Sequence, residues 1–277
     1  IYGSLGLAIN KFRNIQKIES NKNFEIVTKN KEIRKRVEAI FKTFLSLYKL
    51  KTCKISFLES IPLHQGLGSG TQIALSTGIL LSKFNNLNLN IHEISKLLGR
   101  GKRSGIGVET FSSGGFVVDS GKKKGSKFPP SKILRINWPK DWNIILLSDT
   151  NLEGLSGKKE QQEFSNLKKL TLNYVEENCF NVLMRIIPGI VEKDFYTFVT
   201  GIQKIQNNMS KIFYGSSQSF SSKGISSIFK LLKSQKILGY GQSSWGPTGF
   251  IFCKNLQEKK KLLQKIEKFI EFKKIKG

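Results

Sequence analysis

Apolar residues recur along this chain with helical and strand-like periods, and these periods predict where its elements lie. The first helical pattern places apolar side chains three or four positions apart: Ile33, Val37, Ile40, Phe41, Phe44 and Tyr48. Further helices are predicted over residues 72–84, 91–98, 158–170, 175–187, 193–206, 225–233 and 256–272. β-Rich runs predict strands over residues 5–9, 24–28, 53–58, 116–119, 143–147 and 249–253.

Local signals fix several of the expected helix ends. Asn90 is the expected N-cap of the helix at residues 91–98, and Gly99 its end. Pro188 and Gly189 are expected to separate the helices at residues 175–187 and 193–206, because proline interrupts a helix interior.

A change of composition divides the chain of 277 residues. Residues 122–130 are rich in Lys, Gly and Pro, as exposed connectors are, so we expect domains at residues 1–130 and 131–277. No run of about eighteen apolar residues occurs, so a membrane partner is not expected. The chain opens at Ile1 in an apolar stretch without the charged start of a signal peptide, and we expect the first strand of the N-terminal domain to be missing.

The stretch PLHQGLGSGT at residues 62–71 lies between a predicted strand and a predicted helix. Its alternate glycines permit positive φ and a close approach of the backbone to a ligand. N–H groups at a helix N-terminus attract anions, and the hydroxyls add donors. The stretch therefore predicts a phosphate-binding loop, although a glycine-rich turn capped by Ser or Thr is the alternative. The candidate ligands are Gly66, Gly68, Ser69, Gly70 and Thr71.

The net charge of +26 would attract polyanions, since 46 basic residues stand against 20 acidic ones. The lysines are scattered and no basic helix or aromatic–basic RNA-binding motif occurs, so nucleic acid is not expected as a partner. A small polyanionic substrate would still gain from this field. The three cysteines lie far apart in apolar surroundings, which predicts reduced core thiols and a cytoplasmic protein.

The stretch GRGKRSGIGVETFSSGG at residues 99–115 sets cations among glycines. Guanidinium groups suit bidentate phosphate contacts, so Arg100, Lys102 and Arg103 are candidate ligands, with a solvated basic loop as the alternative. Glu109 could hold a divalent metal or an electrophile, or could equally be an acid on a helix surface.

The stretch GYGQSSWGPT at residues 239–248 offers adjacent polar groups in Gln242, Ser243 and Ser244. Trp245 beside them could stack on an aromatic substrate, or it could instead fill the space between the domains.

These three stretches, in this order, resemble the three motifs of the GHMP small-molecule kinase superfamily. The resemblance implies an α+β fold of two domains: an N-terminal mixed α/β domain and a C-terminal ferredoxin-like α+β domain. Two departures stand out. Kinases of this superfamily generally have two adjacent serines in the phosphate loop, whereas Ser69 is followed by Gly70. They carry a catalytic Asp three residues after the Ser of the second motif, whereas Gly107 stands three residues after Ser104.

Within the superfamily, GLGSGTQ, LGRGKRSGIG, GGFVVD and GQSSWGPT resemble the archaeal β-ribofuranosylaminobenzene 5′-phosphate synthases. That resemblance implies a decarboxylating pentosyltransferase of methanopterin biosynthesis and a homodimer. The implied substrates are phosphoribosyl pyrophosphate and either 4-aminobenzoate or 4-hydroxybenzoate. The phosphate loop and the cations Arg100, Lys102 and Arg103 would bind pyrophosphate with Mg²⁺, and Ser104 joins the substrate-binding set. Residues 242–245 would meet the aromatic acid or the ribose phosphate, and Glu109 is the candidate metal ligand.

Two other functions stay open on the sequence alone. One is an ATP-dependent kinase of a small alcohol with relocated catalytic groups. The other is a basic nucleic-acid-binding protein without activity, for which steeply salt-dependent binding would be expected.

Overall fold

The computed structural model describes residues 3–102, 104–122, 125, 129–149, 171–213, 222–244 and 246–276. The chain forms two compact units, one of residues 1–63 and 68–137 and the other of residues 64–67 and 138–277. In the part of the chain that is described, none of the helices is long and apolar enough to cross a membrane.

The first unit combines four helices with two three-stranded sheets in its described residues. Its elements, in chain order, are β1 (Ser4–Leu7), β2 (Ile15–Ser20), β3 (Glu25–Val27), α1 (Lys31–Leu45), β4 (Cys53–Glu59), α2 (Ser69–Phe84), α3 (Ile91–Leu97), α4 (Ile106–Ser113), β5 (Phe116–Asp119) and β6 (Lys132–Ile136). One sheet has the antiparallel order β1-β5-β6. The other has the order β2-β4-β3, with β2 antiparallel and β3 parallel to β4.

The core of this unit forms where α1 and α2 bury their apolar faces. Asn30 caps α1 by accepting hydrogen bonds from the N–H groups of Glu32 (2.9 Å) and Ile33 (3.1 Å). The predicted apolar stripe of α1 is buried from Ile33 to Phe44 and packs with residues of β4 and α2. α2 thereby holds a fixed position, with its N-terminus at Ser69.

The second unit has one three-stranded sheet and five helices in its described residues. Its elements are β7 (Asn143–Leu147), α5 (Leu172–Asn181), a π-helical turn (Val182–Ile186), α6 (Ile187–Val191), α7 (Phe195–Phe213), α8 (Lys223–Ser234), β8 (Tyr240–Gln242), β9 (Gly249–Cys253) and α9 (Leu256–Lys276). The sheet is antiparallel, in the order β7-β9-β8. Apolar side chains of β7, α8, β9 and α9 form one cluster under it.

A second, aromatic cluster packs beside this sheet. Trp138 and Trp142 meet edge to face with their ring centroids 5.3 Å apart. Both rings also contact Phe198 of α7, and Trp138 contacts Phe252 of β9.

The structure differs from the sequence-based expectations at several places. The division between the units falls after Asn137 and not after residue 130, because β6 pairs with β5 in the first unit. The sequence pattern does not predict β2, α4, β6 or β8. Pro188 and Gly189 do not separate two helices, because the proline lies in the first turn of α6, where its missing N–H is not needed. Cys179 is exposed and is not a core thiol. The predicted helix at residues 158–170 lies outside the described residues.

Candidate functional site

The N-terminus of α2 offers free backbone donors. Gly68 precedes the helix with a left-handed φ of 68°. Its carbonyl accepts from the N–H groups of Thr71 (3.0 Å) and Gln72 (3.1 Å). The described residues supply no acceptor for the N–H groups of Ser69 and Gly70. A methyl group placed on Gly68 would meet no atom within 4 Å, so the space beside the loop is open. Free N–H groups and the positive end of the helix dipole make this end of α2 suited to an anion.

Two guanidinium groups border the same helix end. A methyl group placed on Gly70 would lie 2.9 Å from Nη1 of Arg36 and 4.0 Å from Nη1 of Arg100. Burial, and next the neighbouring charge of Arg36, lower the pKa of Arg100 from its ordinary value. Nε of Arg100 is buried without a hydrogen-bond partner. Two cations held this close favour an anionic ligand between them and the helix.

Arg100 was predicted as a ligand, whereas Arg36 was not. Arg36 lies on α1, where its Nε and Nη2 donate to Oε1 of Glu32 at 3.1 and 2.7 Å. In the sequence this looks like an ordinary surface ion pair four residues apart. Only the packing of α1 against α2 brings Arg36 to Gly70.

The other predicted cations contribute less to the described site. Lys102 is exposed, and its Nζ lies 3.1 Å from a methyl group placed on Gly99, within its own turn. Arg103 lies outside the described residues.

Ser104 is engaged by a buried carboxylate and does not point freely toward a ligand. Its hydroxyl donates to Oδ2 of Asp119 (2.9 Å), which also accepts from the N–H of Gly105 (2.9 Å). Oδ1 of Asp119 accepts from the N–H groups of Ser4 (2.9 Å) and Gly121 (3.0 Å). Asp119 thus ties the start of α4 to β1 and β5, and the contacts of Ser104 are those of a structural residue.

Gly107 packs directly against the first turn of α2. A methyl group placed on it would lie 3.1 Å from Cγ2 and 3.4 Å from Oγ1 of Thr71. Gln72 adds a second link, because its Nε2 donates to the carbonyl of Gly107 at 3.0 Å. A side chain at residue 107 would therefore press on the phosphate loop.

Glu109 occupies a different place from the one expected of a catalytic or metal-binding acid. Two residues after Gly107, its side chain points about 200° around α4, away from Thr71. Its Oε2 lies 2.8 Å from Nζ of Lys132, and its Oε1 lies 3.8 Å from Nδ1 of His92. These contacts indicate a buried structural ion pair. Among the described residues, no three His, Cys, Asp or Glu side chains gather as metal ligands.

In the second unit, Gln65 and Gly66 of the loop pack against Ser243 and Gly246. Ser243 donates its hydroxyl to the carbonyl of Gly66 (2.7 Å). A methyl group on Gly246 would lie 2.2 Å from the nitrogen of Gly66, and one on Gly66 (φ 72°) would lie 2.4 Å from the carbonyl oxygen of Ser243. Both glycines are needed because the two backbones touch. The structure thus shows Gly66 as a packing residue, and its role as a phosphate ligand stays a prediction.

Gln242 also serves the loop itself. It is buried, and its Nε2 donates to the carbonyl of Gly246 at 2.7 Å, while its backbone N–H donates to Oε1 of Gln206. Ser244 is exposed with a left-handed φ of 51°, so among residues 242–244 its hydroxyl is the most accessible to a ligand. Trp245 lies outside the described residues.

Comparison with known proteins adds family relationships to this geometry. Residues 33–115 match the family described as the GHMP kinases N terminal domain. Three archaeal relatives are each called beta-ribofuranosylphenol 5′-phosphate synthase. That of Archaeoglobus fulgidus is 34% identical over 74% of this chain and 67% of its own. Those of Methanocaldococcus jannaschii and Methanothermobacter thermautotrophicus are 36% and 33% identical, over 72% and 67% of this chain and 62% and 59% of their own.

Solved structures share the fold at low sequence identity. Mevalonate diphosphate decarboxylase of Staphylococcus aureus superposes with a TM-score of 0.69 and 13% identity, covering 96% of this chain and 83% of its own. Mevalonate kinase of L. major gives 0.63 and 13%, covering 96% and 85%. These likenesses confirm the predicted α+β fold.

Proposed function

The chain belongs to the β-ribofuranosylphenol 5′-phosphate synthase family, and from that premise we propose that it forms a ribofuranosyl-benzene 5′-phosphate in methanopterin biosynthesis. Phosphoribosyl pyrophosphate and a 4-substituted benzoate condense, and CO₂ and pyrophosphate leave. The matches of this chain span 59 to 67% of the relatives' lengths.

One observation supports this reaction over phosphoryl transfer to an alcohol. An anion site at the start of α2 stands beside Gly107, where kinases of the superfamily carry their catalytic Asp. A glycine cannot take a proton from a hydroxyl group. Displacement of pyrophosphate by a ring carbon needs no such base, so an anion site without it is sufficient.

The proposed step balances without an added oxidant or base. The bond from ribose C1 to the pyrophosphate oxygen breaks, and its electron pair leaves with pyrophosphate. The free N–H groups of Ser69 and Gly70, with Arg100, stabilise that leaving charge. The ring carbon bearing the carboxylate attacks C1, and the electron pair of the bond to CO₂ then restores aromaticity.

We propose 4-hydroxybenzoate as the first aromatic acid to test. The relatives are named for a ribofuranosyl phenol, which is the product that 4-hydroxybenzoate would give after losing CO₂. 4-Aminobenzoate would give the corresponding aniline and is the second candidate. Ser244 and Trp245 are the proposed contacts of the aromatic acid or the ribose phosphate.

Mg²⁺ enters this proposal only as the counterion of the diphosphate in phosphoribosyl pyrophosphate. Mg²⁺ is usually held by substrate phosphates with one or two carboxylates, and among the described residues Glu109 is already paired with Lys132, so no protein ligand is assigned to the ion. No step is therefore assigned to the ion.

The deciding experiment measures labelled CO₂ released from carboxyl-labelled 4-hydroxybenzoate or 4-aminobenzoate. The protein, expressed from its complete reading frame, is incubated with Mg²⁺ and with or without phosphoribosyl pyrophosphate. We expect release that requires phosphoribosyl pyrophosphate and falls strongly in Arg100→Ala. Arg34→Ala, an exposed position on α1, removes the same charge as a control. No release from folded protein with either acid would refute the proposal, and ATP consumption with small alcohols would support the kinase instead.

A homodimer and a cytoplasmic location complete the proposal. Cys53, Cys179 and Cys253 are all free thiols, as a reducing compartment would keep them. Sedimentation equilibrium of the purified protein tests the dimer.

A further inference from the structure

Arg36 presents one nitrogen toward the start of α2 while its others are occupied. Nε and Nη2 both donate to Oε1 of Glu32, which fixes the plane of the guanidinium group. Nη1 is the nitrogen nearest Gly70, 2.9 Å from the place of a methyl group there. Glu32 therefore orients Arg36 so that its remaining donors face the helix end.

Arg100, which follows α3 in the chain, also lies close to Gly70. Its Nη1 lies 4.0 Å from the same methyl position, and its buried Nε has no partner. Two guanidinium groups, a helix N-terminus and free N–H groups thus converge within the first unit. Like charges held together in this way raise the free energy of the protein until an anion binds.

Gly70 is what makes room for Arg36. The residue is helical, so an alanine there would be free of backbone strain, yet its methyl group would lie only 2.9 Å from Nη1. The contacted atom is the end of a flexible side chain, so the arginine would move and the helix would not. Position 70 thus controls whether Arg36 reaches the anion site.

We propose that Arg36, which lies outside the three glycine-rich stretches, binds a phosphoryl group of the substrate together with Arg100, and that Gly70 is required for its access. The phosphoryl group belongs either to the diphosphate or to the 5′-phosphate of phosphoribosyl pyrophosphate. This inference rests on the proposed function for the identity of that substrate.

The test is calorimetric binding of inorganic pyrophosphate and, separately, of ribose 5-phosphate to the whole protein. Because charge-assisted hydrogen bonds are strong, Arg36→Ala should weaken binding by about 10- to 100-fold. Arg34→Ala is the matched control, since it removes the same charge from an exposed position of the same helix and should change binding less than about twofold. A loss seen only with pyrophosphate assigns Arg36 to the diphosphate, and a loss seen only with ribose 5-phosphate assigns it to the 5′-phosphate.

A double-mutant cycle separates a ligand contact from a loss of folding. Gly70→Ala should weaken binding in the wild-type background and add little in the Arg36→Ala background, because both changes remove the same contact. Urea unfolding of each variant confirms that the folded state is retained. Additive effects, equal losses in Arg34→Ala, or wild-type affinity in Arg36→Ala would each overturn the inference, as would absence of binding to both probes.

Failure of this inference is distinguishable from failure of the proposed function. If CO₂ is released normally while Arg36→Ala binds both probes as the wild type does, the function stands and the role of Arg36 falls. If no CO₂ is released while the cycle shows coupling, the anion site stands and the assigned reaction falls.

Discussion

Asp119→Asn removes the charge that organises the start of α4. The buried carboxylate accepts four hydrogen bonds, two at each oxygen. An amide of the same shape keeps one acceptor oxygen and turns the other into a donor. Two of the four donors then lose their acceptor and face an N–H group instead.

The expected cost follows from these contacts. A hydrogen bond to a charged group contributes about 1.5–3 kcal/mol, so the loss of two lowers the free energy of unfolding by about 3–6 kcal/mol. That is a large part of the roughly 5–15 kcal/mol that stabilises an ordinary domain. Ser104→Ala removes one of the same bonds and should lower the free energy of unfolding by about 1–3 kcal/mol.

Urea unfolding followed by circular dichroism measures both effects, and the KM for phosphoribosyl pyrophosphate separates two roles of Ser104. If the hydroxyl serves Asp119, Ser104→Ala loses stability and keeps its KM. The reasoning is refuted if Asp119→Asn costs less than about 1 kcal/mol. It is equally refuted if Ser104→Ala raises the KM severalfold at unchanged stability, which would restore the sequence-based prediction of a substrate ligand.

Further predictions concern Glu109, Gly246 and the buried cysteines. Glu109→Gln should lower the free energy of unfolding by about 1 kcal/mol, since Lys132 is partly exposed. It should leave the Mg²⁺ dependence of turnover unchanged, and a changed Mg²⁺ requirement would contradict the structural role. Gly246→Ala should lower the free energy of unfolding by at least about 2 kcal/mol and remove much of the activity, because its methyl group would meet the backbone of Gln65 and Gly66. Gly224→Ala on α8 is the control and should be tolerated. Equal urea midpoints for the two variants would disprove this. Burial raises the pKa of Cys53 to about 11 and of Cys253 to about 12, so a disulfide reagent should titrate only the exposed Cys179 until urea is added. The thiols of Cys53 and Cys253 ionise near pH 8.5 in the unfolded chain but stay protonated in the folded protein at that pH. The free energy of unfolding should therefore fall as the pH rises above about 8.5. A free energy of unfolding that does not change between about pH 8 and 10 would contradict this.

Much of the fold could be predicted from periodicity and caps. The apolar stripe of α1, the Asn90 cap of α3 and the strands β5, β7 and β9 lie where the pattern placed them. These segments bury one or both faces, so their sequences carry a clear signal. β2, by contrast, reads IQKIES with exposed alternate residues, and pairing with β4 rather than its own composition makes it a strand. α4 starts in a glycine-rich stretch, and its beginning is set by the distant carboxylate of Asp119.

The site was predictable only in part, for a related reason. Cations among glycines pointed to Arg100, but nothing in the sequence brings Arg36 of α1 to Gly70. The sequence also does not distinguish polar residues of glycine-rich loops that bind a ligand from those that bond to the protein itself. Ser104 and Ser243 are engaged by residues distant in sequence, and Gln242 is engaged by Gly246 of its own loop.

All three tryptophans of the chain, Trp138, Trp142 and Trp245, belong to the second unit. Indole emission, excited at wavelengths where tyrosine does not absorb, therefore arises in that unit alone. The edge-to-face pair of Trp138 and Trp142 should also give an exciton couplet in far-ultraviolet dichroism, from the strong indole transition in that range. Emission and far-ultraviolet ellipticity, recorded on one sample of Asp119→Asn, would thus show whether damage in one half of the molecule spreads to the other, with no dye or label attached.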